Sequence, residues 1–246
     1  IPMSQRPDAA SSRPPDDDTG LQHLSEAATG FGRRELQTVK DALIRPGAML
    51  DAYMNGGPTG GGVYARPLRF YLSLCGILML QLFLMGGTTL FLGGLPADAL
   101  DPLIEQSGKS RDAFMGDADN WMSLVLVPLN AVFYAIVSAP LLRWWDPSDL
   151  GWRKSFRATF HFLNVWTLPF VPIGFLAYIP ATAVWMSLLM IVLSFVAFLR
   201  VGRGRWYRTT LGGLCKAGVL TLATFLGTFL ATFPLMAIGM AGGLWA

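Results

Sequence analysis

Charge is scarce in this 246-residue chain. Only 14% of its residues are Asp, Glu, Lys or Arg, where a soluble domain carries about 25%. Cysteine and histidine are scarcer still, at two each. Cys75 and Cys215 lie far apart in sequence, and no run clusters Cys with His. That excludes a disulfide framework and a spaced zinc site, and both cysteines are expected as small apolar core residues. No His-Glu-x-x-His, Gly-x-Ser-x-Gly or Asp-x-Asp-x-Asp-Gly pattern occurs, which leaves zinc-protease, hydrolase-elbow and calcium-loop chemistry without their residues. The apolar stretches contain no deep Asp or Glu, which argues against a carboxylate proton relay. The expectation is a non-enzyme with no catalytic residue, metal or cofactor. No nucleic-acid partner is expected.

What fills the chain instead is hydrophobic sequence, 52% of residues. It comes in long blocks at about 68–92, 121–142, 158–179, 181–199 and 211–233. A hydrocarbon core needs roughly 20 residues of helix, so each block is long enough to span. The pattern predicts an all-α polytopic membrane protein with five transmembrane helices in residues 68–246. After Pro234 too little chain remains for a sixth span. It is expected to extend the fifth helix or to lie at the interface. Pro128, Pro140, Pro169 and Pro172 are expected to kink or unwind their helices.

The connecting loops are polarised. Residues 93–120 contain six acidic and two basic residues, residues 143–157 four basic and two acidic, and residues 200–216 five basic and none acidic. The positive-inside rule places the two basic loops and the N-terminus in the cytoplasm, and the 93–120 loop and the C-terminus outside. Trp121, Trp144, Trp145, Trp152, Trp185 and Trp206 fall near span ends, where the headgroup zone favours tryptophan. Lys216 is expected to snorkel to the inner surface.

Residues 1–32 begin with a Pro-, Ser- and Asp-rich stretch that lacks an apolar period and a signal-peptide core. They are expected to be a disordered or partner-bound arm, with residues 1–20 as the docking segment. Residues 33–67 hold Leu36, Val39, Leu43, Leu50 and Tyr53 at helical spacing. This predicts an amphipathic helix on the inner leaflet, broken at Pro46, and then a glycine-rich hinge.

That hinge, "NGGPTGGGVYARP", contains five glycines but lacks the Gly-Lys-Ser/Thr end of a nucleotide loop. Two readings stand: a flexible link, or a lipid-headgroup site made by Gly60, Gly61, Gly62, Arg66 and Arg69. Within the spans the candidate polar contacts are Gln81, Asn130, Tyr134, His161 and Asn164. His161 and Asn164 share one helical face, as do Asn130 and Tyr134. A contact between the second and third spans is expected, either as a structural network or as a groove for a ligand or headgroup. Ala223, Gly227 and Ala231 form a small-residue stripe that lets another helix approach, from this chain or another subunit.

"LIRPGAMLDAYMNG" with "RPLRFYLSL", "FRATFHFLNVWTL" and "RWYRTTLGGL" resemble segments of a bacterial family of uncharacterised inner-membrane proteins. Its architecture is similar to that of Yip-type five-span proteins. Many members begin with a cysteine zinc ribbon, and this chain does not have one. The resemblance implies a bacterial inner-membrane protein. The expected function is that of a non-catalytic accessory or assembly subunit, or membrane organiser, whose partners are membrane lipids and other membrane subunits. The alternative is a carrier or lipid translocator with a polar groove between spans two and three.

Overall fold

The computed structural model describes residues 32–86, 97–148 and 150–245. In chain order these form α1 (Arg33–Ile44), α2 (Pro46–Asn55), α3 (Pro67–Leu84), α4 (Ala97–Ser107), α5 (Arg111–Trp145), α6 (Trp152–Phe170) with a 3₁₀ continuation (Val171–Tyr178), α7 (Pro180–Gly202) and α8 (Thr210–Trp245). No β-strand occurs among the described residues. Five segments are long and apolar enough to cross a membrane: α3, α5, α6 with its 3₁₀ turn, α7 and α8. The fold is therefore that of an all-α, multi-pass membrane protein. The arm expected at residues 1–20 lies outside the described residues.

Prolines mark the starts of the helices. Pro46, Pro67 and Pro180 occupy the first turns of α2, α3 and α7, where a missing N–H costs no helical bond. Pro46 divides α1 from α2, as its position in the sequence predicts. Pro169 ends α6, and the chain tightens into the 3₁₀ segment at Val171. Pro128 and Pro140 sit inside an unbroken α5.

The hydropathy blocks understate α5 and α8. They have 35 and 36 residues, or about 53 Å each at 1.5 Å per residue. That exceeds the apolar thickness of a bilayer. Helix α5 starts ten residues before the expected span because its polar first turns pack on the end of α8. There Gly239, Gly242 and Gly243 face Met122, Trp121 and Phe114 so closely that an added Cβ would lie within 2.8 Å of each partner. The residues after Pro234 continue α8 and do not form a separate interfacial segment.

Helix α6 is the hub. Its buried face runs from Ser155 through Ala158, His161, Phe162 and Val165 to Phe170, and it packs against α1, α2, α3, α5 and α7. The outward faces of α7 and α8 carry Val184, Leu188, Val192, Leu222, Leu226 and Phe229, all exposed, as a lipid-facing surface requires. Trp144, Trp152 and Trp185 are exposed near helix ends. Trp206 departs from the expected belt. It is buried and stacks on Phe198 at 5.5 Å between ring centres. Cys75 is buried, but Cys215 is exposed on α8 and is not a core residue.

Candidate functional site

The main polar centre lies where the N-terminal headpiece (α1, α2 and the glycine-rich turn) meets α6. Three α6 side chains, at spacings of four and three, present donors on one face. Arg157 Nη1 donates to the Tyr53 carbonyl at 2.7 Å, His161 Nε2 to the Pro46 carbonyl at 2.9 Å and Asn164 Nδ2 to the Pro67 carbonyl at 2.9 Å. A carbonyl only accepts, so His161 carries its proton on Nε2. His161 and Asn164 are fully buried, and the edge of the Tyr53 ring packs on the imidazole at 5.4 Å. The third span thus holds the chain where it enters α2, where it leaves α2 and where it enters α3.

The headpiece is itself built around a buried acid. Asp41 accepts from the Tyr64 hydroxyl at 2.9 Å, from Arg45 Nε at 2.8 Å and from Gln37 at 2.8 Å. The Arg45 bond, opposed by burial and aided by Gln37 and Tyr64, holds the Asp41 carboxyl below its ordinary value. Thr38 accepts the Ala65 N–H at 2.9 Å, and Tyr53 donates to the Ala65 carbonyl at 2.7 Å. This gives α1 a polar side turned to the protein and an apolar side turned outward. Its inward face is Thr38, Asp41 and Ala42, while Leu36 and Ile44 are 65% and 64% exposed. The buried side of this helix is polar because it binds the Ala65 N–H and the Tyr64 hydroxyl. Leu50 and Tyr53 of α2, expected on the leaflet-facing side, are instead buried in the protein core.

The glycine-rich turn spends backbone donors on its own carbonyls. The N–H groups of Gly60, Gly61 and Gly62 donate to the carbonyls of Gly57, Gly56 and Thr59. All three glycines adopt positive φ, so the run folds into a closed turn. It also does not behave as a loose link, since Tyr64 at its end bonds Asp41. Arg66 and Arg69 line an open groove with Leu68, Leu72 and Ser73, without those glycines.

Basic residues from the other loops complete the grip. Arg200 donates to the carbonyls of Leu43 and Ile44. Arg205 spans Asp146 at 2.5 Å and Asp51 at 3.4 Å. Burial pushes the Asp146 carboxyl up, but the bonds from Arg205 and Ser148 outweigh it and leave the acid below its ordinary value. Arg157, Arg200 and Arg205 enter the sequence argument only as topology charges. Arg157 was findable as the residue four before His161. The roles of the other two depend on partners distant in sequence, 157 residues away for Arg200 and 59 and 154 residues away for Arg205.

The expected contact between spans two and three does not form through the named residues. Asn130 donates to Leu126 of its own helix at 3.0 Å. Tyr134 accepts from Thr228 of α8 at 3.1 Å, and its ring meets Trp166 edge-on at 6.0 Å. His161 and Asn164 turn toward the headpiece instead, because the Pro46 and Pro67 carbonyls lie on that side of α6. Gln81 joins α3 to the 3₁₀ segment by donating to the Val171 carbonyl at 2.8 Å. In the α8 stripe, Gly227 and Ala231 are buried and Ala223 is half-buried. Gly227 meets Val137 of α5, a neighbour in the same chain. Lys216 is held by the Trp206 carbonyl at 2.6 Å.

A crevice of about 190 Å³ is lined mainly by α7 and α8, including Ser187, Ser194, Thr221, Thr224 and Thr228, with Tyr134 and Trp166 behind. Tyr134 and Trp166 bring the second and third spans to its inner wall. Among the described residues no group of three or more His, Cys, Asp or Glu side chains is placed to hold a metal ion.

These features define a class, a polytopic helical membrane protein whose third span grips a folded N-terminal headpiece. No protein family, curated protein or solved structure matches the chain.

Proposed function

We propose that this protein is a non-catalytic membrane subunit that works through contacts, as an accessory or assembly component of a larger membrane complex. The observation that supports this reading is the α6 donor face. Arg157, His161 and Asn164 direct their donors at backbone carbonyls of the same chain. Donors committed to the chain's own backbone support a headpiece that works as a contact surface. In this reading the headpiece is the platform, it faces the cytoplasm of a bacterial cell, and lipids and neighbouring subunits are the partners. The resemblance to the bacterial five-span family fits the same role. Residues 1–20 would extend the docking surface.

The test is purification of the full chain in mild detergent, with sizing and mass spectrometry of what accompanies it. A stoichiometric membrane-protein partner, reduced when residues 1–20 are deleted, is the expected result. A second reading, a lipid carrier, rests on the hydroxyl-lined crevice between α7 and α8. A lone protomer that carries phospholipid, and loses it on Thr224→Val with Thr228→Val, would favour the carrier and reject the subunit.

A further inference from the structure

We infer that the arginine-lined pocket between the start of α2 and the α7–α8 connection binds the phosphate group of an anionic lipid. The pocket, about 530 Å³, is lined by Arg45, Gly47, Arg200, Arg203, Arg208 and Thr210, among others. No carboxylate is among its lining residues. Two acids of the headpiece are already engaged: Asp41 with Arg45, and Asp51 with Arg205. Arg200 spends donors on the Leu43 and Ile44 carbonyls, which fixes its guanidinium at the rim. Arg203 and Arg208 are exposed and form no ion pair or side-chain hydrogen bond among the described residues. Four cations are therefore gathered with only one of them neutralised, an arrangement that carries a cost in self-repulsion unless an anion joins it.

Backbone donors add to the charge. The first helical bond of α2 runs from the Met49 N–H to the Arg45 carbonyl. The N–H groups of Gly47 and Ala48 precede it, in the turn where a helix favours an anion. Gly47 lies close against the Arg200 carbonyl, where an added Cβ would sit at 3.3 Å. The Arg-Pro-Gly sequence thus supplies one cation, a helix start without an N–H at its first residue, and a small residue that lets α7 approach.

The surroundings favour a lipid over a free ion. Ile44 lines the pocket and Leu211 follows the lining residue Thr210; they are 64% and 72% exposed. They are exposed apolar side chains at the end of α1 and the start of α8. A headgroup phosphate in the pocket would leave its acyl chains along these residues and the outer face of α8. Arginine suits such an anion because its planar fork donates two bonds to phosphate oxygens. This site is separate from the Arg66–Arg69 groove, and it does not depend on the subunit reading.

Nanodiscs containing the full chain test the inference, with phosphatidylcholine mixed with increasing phosphatidylglycerol and the retained lipid read by native mass spectrometry. The wild-type protein should retain phosphatidylglycerol in preference to phosphatidylcholine. Arg203→Gln with Arg208→Gln should weaken that retention roughly tenfold to thirtyfold, from about 1 kcal/mol per basic residue at a membrane surface. Arg203→Lys with Arg208→Lys should recover part of it, and Arg66→Gln with Arg69→Gln should leave it at the wild-type level. Inorganic phosphate at millimolar concentration separates the sources. Retention in its presence supports the lipid, and displacement supports the same site with free phosphate as ligand. Equal retention of both lipids by the wild type, or equal losses in the two Gln pairs, would overturn the inference.

Discussion

His161 shows how one side chain can settle the use of a membrane-buried polar group. Its Nε2–H is committed to the Pro46 carbonyl and its ring is fully buried. Replacing it by alanine leaves that carbonyl without a donor and opens a void behind Tyr53. The expected loss is about 1–3 kcal/mol for the unmade bond, with a further contribution from the void. Asn164→Ala should cost a similar amount through the Pro67 carbonyl. Thermal unfolding in detergent measures both, and full stability in either variant would show that the α6 face does not hold the headpiece. Asp41 adds a pH dependence of known sign. Its folded value lies below the ordinary 3.8, so the folded protein binds fewer protons than the unfolded chain near that pH. The resulting stability is full at neutral pH and is lost as pH falls through the folded value. Asp146 acts in the same direction through Arg205. Limited proteolysis within residues 45–66 should therefore accelerate on acidification from about pH 5 toward pH 3. Asp41→Asn should be cut faster at pH 7 and should show a weaker acid response. An unchanged acid response in that variant would remove Asp41 from the account.

Helices α5 and α8 are held together by what α8 lacks. Gly239, Gly242 and Gly243 let Met122, Trp121 and Phe114 rest against its backbone. Lys109 closes the end of this contact by donating to the Gly243 carbonyl at 3.0 Å while pairing with Asp117 at 2.7 Å. Phe114 is fully buried, and a Cβ added at Gly243 would meet its ring at 2.7 Å, so Gly243→Val should cost about 1–3 kcal/mol from overpacking and expose the start of α5. Cysteine accessibility at position 118, as Ala118→Cys, would report the separation with Phe114 left in place. No rise in labelling would contradict the packing role. These two helices also show where the sequence was readable. The apolar core of each span follows from hydropathy, because lipid demands a continuous stretch. Their polar ends stay helical through mutual packing, which no local pattern announces. The same limit applies to α1. The spacing of Leu36, Val39 and Leu43 correctly indicates a helix, but the partner that makes its polar face the buried one is Tyr64, 23 residues beyond Asp41. Of the candidate residues, His161 and Asn164 were legible as a shared face, whereas their acceptors were not, since a proline carbonyl leaves no mark in a hydropathy profile.

Across the whole molecule the two ends differ in both charge and construction. One end carries the headpiece and the staples Arg157, Arg200 and Arg205, with Arg203 and Arg208 beside them. The other carries α4 and the first turns of α5, with Asp101, Glu105, Asp112 and Asp117, and is tied to the end of α8 by Lys109. In a bacterial membrane the basic end belongs inside. This predicts a cytoplasmic headpiece and an external α4, and five spans then leave the C-terminus external. The positions for a test follow from exposure. Gln106 on α4 and Pro147 in the loop after α5 are both exposed and lie at opposite ends. With Cys75 and Cys215 replaced by serine, Gln106→Cys should react with a membrane-impermeant maleimide in intact cells, while Pro147→Cys should react only after permeabilisation. The arginines make the expectation stronger than a count of loop charges. Moving the headpiece outside would carry across the bilayer a folded unit fastened at Arg157, Arg200 and Arg205, so the orientation should be single and not mixed. Replacing Arg203 and Arg208 by Gln should leave it unchanged, because the fastening arginines remain. Labelling of both cysteines in intact cells would show a dual orientation, and labelling of Pro147→Cys alone would invert the molecule and move the proposed platform to the outer face.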